Sequence, residues 1–217
     1  MQNPFKYGQI VQADNFCQRQ DLVQSLTDYI QRNQNVYVQG ERRTGKSSLI
    51  CETIRRLKTY RMVYIDSLEV KTINDFIKRI VTAIVSMERS SGGVLERVFK
   101  NIAHLRPVAS VDPISGLPVL SFDSSVQLTP DSIPSVLDMI ESINSKRHPL
   151  VVVFDEFQDI INIRDFKEAL AILRSKIQFH SDIPYIFAGS VRKDMDGIFN
   201  DPDSPFFKSS LPLYVGE

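Results

Sequence analysis

Eight consecutive residues, Gly40-Glu41-Arg42-Arg43-Thr44-Gly45-Lys46-Ser47, constrain this chain more than any other stretch. They fit the pattern Gly-x-x-x-x-Gly-Lys-Ser/Thr in full. They also sit where that pattern has physical meaning: after a short β-rich run, Asn35 to Gln39, and before an amphipathic segment, Lys46 to Lys58, whose Leu49, Ile50, Ile54 and Leu57 share one helical face. Glycines let the backbone curl until successive N–H groups converge on a phosphate, and the following helix adds the positive end of its dipole. In such a loop Lys46 is a point charge for the β- and γ-phosphates, and Ser47 offers a hydroxyl to Mg²⁺. Gly40, Glu41, Arg42, Arg43, Thr44, Gly45, Lys46, Ser47 and Ser48 are therefore the candidate nucleotide contacts. Arg42 and Arg43 either touch phosphates or face outward, to a partner or an internal carboxylate. A chance match would arise in about one chain of this length in a hundred, judged from average residue usage; the strand–loop–helix setting makes it rarer.

A second constellation lies a hundred residues further on. Leu150 to Phe154 is an uninterrupted apolar run, as expected of a parallel strand buried on both faces, and it ends in Asp155-Glu156. Open α/β sheets bind ligands beyond the carboxyl ends of their strands, so loop and acidic pair are expected at one edge. Asp155 would then hold Mg²⁺, directly or through water, and Glu156 would orient and deprotonate an attacking water. A phosphoryl transfer to a hydroxyl acceptor needs no such base, so the pair favours hydrolysis. Alone, Asp-Glu reads equally well as a helix cap.

The rest of the chain alternates strands and helices. Helices are expected over Gln18–Arg32, Lys46–Lys58, Ile73–Met87, Val94–Leu105, Ser132–Ser145, Asp165–Phe179 and Val191–Phe199. Strands are expected over Asn35–Gln39, Met62–Asp66, Leu150–Phe154, Tyr185–Ala188 and Leu211–Val215. Val108–Val111 and Pro118–Phe122 flank Asp112-Pro113-Ile114-Ser115-Gly116, which predicts a β-hairpin insertion within 106–124; its prolines place it at an edge or on the surface. The pattern gives an α/β fold: a three-layer P-loop sandwich around a mostly parallel five-stranded sheet. The chain reads as one core domain over 1–217, with a polar N-terminal segment over 1–16.

Composition narrows the class. Lys plus Arg and Asp plus Glu each number 26 in 217 residues, so the net charge is zero, which argues against the domain alone being a strong nucleic-acid binder. A local basic patch remains compatible with it. Cys17 and Cys51 are the two cysteines, with no Cys-x-x-Cys pair and no Cys/His cluster, so a structural zinc site is not expected and buried thiols in a reducing cytoplasm are. No run of 18 apolar residues occurs, so no membrane-spanning helix is expected.

Gly40-Glu41-Arg42-Arg43-Thr44-Gly45-Lys46-Ser47-Ser48-Leu49, Phe154-Asp155-Glu156-Phe157-Gln158 and Ile186-Phe187-Ala188-Gly189-Ser190 together resemble the archaeal-type ATPase family within the STAND group of P-loop NTPases, over about residues 14–215. The resemblance implies the ASCE sheet order, with an extra strand between the P-loop strand and the acidic strand. It implies ATP and Mg²⁺ as cofactors, which the absence of an Asn-Lys-x-Asp guanine-reading motif supports. It implies an adenine-side contact near Arg19 in Phe16-Cys17-Gln18-Arg19, and a polar sensor close to the γ-phosphate. Ser190 is the sensor candidate; it reads as well as a helix N-cap. Arg192 is a sensor or finger candidate, and reads also as a solvated surface residue. The family further implies a nucleotide-driven switch inside a larger regulatory, signalling or defence protein, with a helical lid and winged-helix module after the core. Those modules are expected to be absent from this chain, with a protein partner or oligomer completing the function. The competing expectations are a DNA-associated AAA+-like loader and a nucleotide-binding module that does not hydrolyse.

Overall fold

The computed structural model describes residues 16, 19–87, 103, 107–111, 118–122, 127–190 and 192–216. Five strands form one sheet: β1 (Val36–Gln39), β2 (Arg61–Asp66), β5 (Leu150–Asp155), β6 (Tyr185–Gly189) and β7 (Leu211–Tyr214). Their spatial order is β2-β5-β6-β1-β7. Every pairing is parallel, so the sheet is wholly rather than mostly parallel. β6 pairs with both β1 and β5, which is the inserted strand expected between the P-loop strand and the acidic strand. Parallel strands need crossovers, and among the described residues the helices that serve the sheet are α1 (Gln20–Gln31), α2 (Lys46–Arg56), α3 (Ile73–Met87), α4 (Ile133–Ile143), α5 (Phe166–Ile177) and α6 (Arg192–Phe199).

Local chemistry sets several boundaries. α2 opens at Gly45, whose φ of 84° suits a residue without Cβ. α3 opens on a capping box: the Asp75 N–H donates to Thr72 Oγ1, and the Thr72 N–H returns a bond to Asp75 Oδ2. α1 and α5 are each shorter than the periodicity predicts, beginning at Gln20 rather than Gln18 and ending at Ile177 rather than Phe179. Most of the helix expected over Val94–Leu105 lies outside the described residues. β3 (Pro107–Val111) and β4 (Pro118–Phe122) pair antiparallel as a separate two-stranded sheet. Its prolines stand at the strand ends, where Pro107 faces Phe122 and Pro118 faces Val111.

Alternation along the strands divides the core in two. Tyr37, Val63, Ile65, Val152, Phe154, Tyr185 and Phe187 pack on one face with α3, α4, α5 and α6. Val36, Val38, Val151, Val153, Ile186, Ala188 and Leu213 pack on the other with α1 and α2. Asp155 shares the parity of Val151 and Val153, which directs it to the α2 side.

Candidate nucleotide site

The loop after β1 and the end of β5 meet as the parity requires. Ser47 Oγ donates to Asp155 Oδ2 at 2.6 Å, joining the first turn of α2 to the acidic strand across 108 residues of sequence. Tyr64 Oη, on the neighbouring β2, donates to the same carboxylate oxygen. Burial and the Asp155 charge together hold the Tyr64 phenol strongly on the protonated side, so it can only donate there. Lys46 is 5% exposed. Its ammonium donates to the carbonyls of Gly40 at 2.9 Å and Glu41 at 2.7 Å, folding the loop over the side chain. Burial lowers its pKa, and the Glu156 and Asp155 charges partly offset that.

Glu156 sits in a left-handed conformation, φ 48° and ψ 41°, unusual for a residue with a Cβ. Such a conformation costs on the order of 1–3 kcal/mol and persists where the surroundings enforce it. Here the enforcement is visible. Ser190 Oγ, at the end of β6, donates to Glu156 Oε2 at 2.8 Å, and Gln158 Nε2 donates to the same oxygen at 2.7 Å. Ser190 thus reaches the acidic pair with its side chain. Gly189 has no room for a Cβ: one would stand 2.3 Å from Met195 Sδ and 2.7 Å from Gln158 Oε1.

The other candidates divide. Arg19 reaches the loop: its guanidinium donates to the Thr44 carbonyl at 2.8 Å. Arg42 and Arg43 are exposed, and Arg43 adopts φ 66°. Arg192 borders a cleft of about 410 Å³ with Gly40, Glu41, Ser190 and Tyr214. Its side chain is 85% exposed and lies 3.7 Å from Asp196 along the same helix. Its backbone carbonyl accepts a bond from Gln39 Nε2 at 3.1 Å, so what is fixed beside the P-loop is the start of α6 rather than the guanidinium. Sequence reasoning assigned no role to Tyr64, Gln158 or Gln39. The signal available for Tyr64 was a hydroxyl within the Met62–Ile65 run, in phase with Asp155.

The donor set fits a magnesium nucleotide. Ser47 and Asp155 present hard oxygen ligands at one point. Beside them α2 begins at a glycine that brings no capping side chain, leaving the positive helix end to an anion.

A parallel α/β sheet with a strand inserted between the P-loop strand and the strand that runs into Asp155-Glu156 is the fold of a P-loop NTPase. The family model for ATPase domains predominantly from Archaea matches residues 16–188, and the chain belongs to that family. Solved structures agree on the fold. A Walker-type ATPase of Pyrococcus abyssi aligns with TM-score 0.64 and 18% identity, over 99% of this chain and 57% of its own. The ORC1 protein of Aeropyrum pernix, solved in complex with DNA, gives 0.58 and 14%, over 94% and 46%. The ORC2 protein of the same organism, solved as ADPNP-ADP complexes, gives 0.58 and 14%, over 98% and 51%. The chain therefore spans about half the length of these solved structures. No curated protein matches it in sequence. Among the described residues no helix is long and apolar enough to cross a membrane.

Proposed function

We propose that this domain binds ATP with Mg²⁺ at the loop 40–48, hydrolyses it to ADP and phosphate, and acts as the nucleotide-dependent switch of a larger regulatory, signalling or defence protein of the STAND type. One observation carries the reading: Ser47, Asp155, Glu156 and Ser190, from three separate parts of the chain, form one hydrogen-bonded group beside Lys46. Ser47 and Asp155 are the metal-side ligands; bound Mg²⁺ supplies charge neutralisation for the β- and γ-phosphates. Lys46 binds those phosphates in place of the Gly40 and Glu41 carbonyls. Glu156 accepts the proton of the attacking water. Ser190 and Gln158 hold its carboxylate by Oε2, leaving Oε1 as the base atom. Arg19 braces the loop through Thr44 and so acts by positioning. Arg192, exposed at the rim of the cleft, is the sensor or finger candidate in this reading. A cytoplasmic setting accords with Cys51, a buried free thiol whose pKa burial pushes up to about 11. The core is proposed to work with lid and winged-helix modules or with a partner, alone or as an oligomer, in keeping with its covering half of the structures it resembles.

The test is calorimetry with ATP and GTP in Mg²⁺, followed by phosphate release. Glu156→Gln is expected to keep ATP affinity and slow release by about 10²–10⁴-fold. Equal rates for variant and parent would remove Glu156 from the mechanism. Lys46→Ala is expected to abolish binding. A second reading, a DNA-associated loader or initiator ATPase, is favoured by the fold likeness to a protein solved on DNA. It requires duplex binding whose affinity falls with salt, one counterion slope per phosphate contact; the zero net charge weighs against it.

A further inference from the structure

The start of β6 carries a cluster that nucleotide chemistry does not use. β6 runs from Tyr185 to Gly189. At about 3.3 Å per residue, Tyr185 lies roughly 16 Å along the strand from Ser190. His180, in the connection from α5 to β6, is 6% exposed. Its Nδ1 lies 2.7 Å from Tyr185 Oη. Its Nε2 is buried and has no hydrogen-bond partner. Buried polar atoms are nearly always paired, so an orphan of this kind points to something it is placed to meet. Nε2 faces α4, where Glu141 Oε2 stands 3.8 Å away. Asp138, one helical turn before Glu141, brings a second carboxylate, and one ligand atom from each of the three residues lies within 4.8 Å of the others.

We propose that His180 Nε2, Glu141 and Asp138 form a binding site for a divalent transition ion of the zinc type. The ligand chemistry selects the ion: imidazole with two carboxylates suits Zn²⁺ or Co²⁺, whereas Ca²⁺ and Mg²⁺ take oxygen ligands. The imidazole is fixed by burial. The two carboxylates are half-exposed at 50% and 59%, so they can swing onto an ion that arrives from solvent. Nδ1–H donating to Tyr185 Oη would set the tautomer that leaves the Nε2 lone pair on the metal side, the usual support for a metal-bound histidine. Lys176 Nζ holds Asp138 Oδ1 at 2.5 Å and is the resident cation that the ion displaces. A bound ion would tie α4 to the α5–β6 connection, at the end of the sheet away from the P-loop.

The experiment uses the full chain with ADP and excess Mg²⁺ present, so that the P-loop carboxylates are engaged. ZnCl₂ is expected to bind at one equivalent and to raise Tm by about 5–10 °C at a hundredfold excess over Kd. CoCl₂ is expected to give visible absorption bands of a four-coordinate ion. Tyr185→Phe should weaken binding about 10- to 100-fold. Asp138→Asn with Glu141→Gln, both on side chains at least half exposed, should weaken it at least as much. No Tm shift with ZnCl₂ would overturn the site and leave His180 as the tautomer whose Nε2–H faces Glu141. Zn²⁺ binding undiminished in the double variant would overturn it equally.

Discussion

The two faces of the sheet are built from different materials. On the face toward α3–α6, Phe154 packs against Phe76, Phe157, Tyr185 and Phe187, with ring centroids 5.8, 5.5, 6.4 and 5.8 Å away. Phe199 stacks on Tyr37 at 4.7 Å and 9°. Among the described residues the buried apolar cluster toward α1 and α2 is aliphatic, and the aromatics beside it, Phe16, Tyr29, Tyr60 and Tyr64, are only partly buried. The difference is functional. α2 must lie close enough for Ser47 to touch Asp155, and valine, isoleucine and alanine on β1, β5 and β6 keep that layer thin. The aromatic face holds the turn after β5: Phe157 inserts 4.7 Å from the Phe187 ring and 5.8 Å from Phe206, and so fixes the residue before it. Asp155 is thus placed by the aliphatic layer and Glu156 by the aromatic one.

That division can be broken from either side. The largest effect is expected from Phe157→Ala, which removes a fully buried ring and should cost about 3–5 kcal/mol in urea unfolding. It should also reduce hydrolysis more than ATP binding, since it frees Glu156; a proportional loss of both would mean that the turn is not held by this ring. Leu49→Ala, on the aliphatic side, should cost about 2–5 kcal/mol and raise the Mg²⁺ concentration needed for ATP binding. An unchanged Mg²⁺ requirement would show that α2 keeps its place without that contact. Tyr64→Phe removes one donor from a carboxylate and should lower stability by about 1.5 kcal/mol in melts without Mg²⁺; an unshifted melt would assign Asp155 to Ser47 alone. The smallest effect concerns pH. Burial depresses the His180 pKa below its ordinary 6.5, with Glu141 and Asp138 acting against that and Lys176 with it. The unfolded state then binds the proton more readily. The His180 contribution is therefore full above pH 6.5 and is lost as pH falls from there through the folded value. His180→Gln should flatten the decline in unfolding free energy between pH 7 and pH 5.

The chemistry most legible in the sequence was the part carried by contiguous residues. Gly40–Ser47 declares itself by spacing, and Asp155-Glu156 by following five apolar residues. The place of β6 between β1 and β5 followed from the family resemblance. What was not legible depends on distant packing. That Arg19 would meet the carbonyl of Thr44, or that Gln158 and Ser190 would share one oxygen of Glu156, is fixed by how α1 and the 157–162 turn settle on the sheet, and no local pattern encodes it. Arg192 shows the reverse: its position in the sequence suggested a side-chain role, yet the described contact next to the P-loop is through its backbone.

The junction of Gly40 with β7 has a mechanical side. A Cβ on Gly40 would stand 2.4 Å from the Val215 carbonyl oxygen, and the Val215 N–H already donates to Gln39 O at 2.7 Å. Two parts fitted with no clearance cannot move separately. Any shift of the loop's first residue as phosphates arrive or leave must be passed to the last strand, and a pull on that strand must be felt in the loop. Gly40→Ala would drive a methyl group into the Val215 carbonyl and force the loop and the strand end apart.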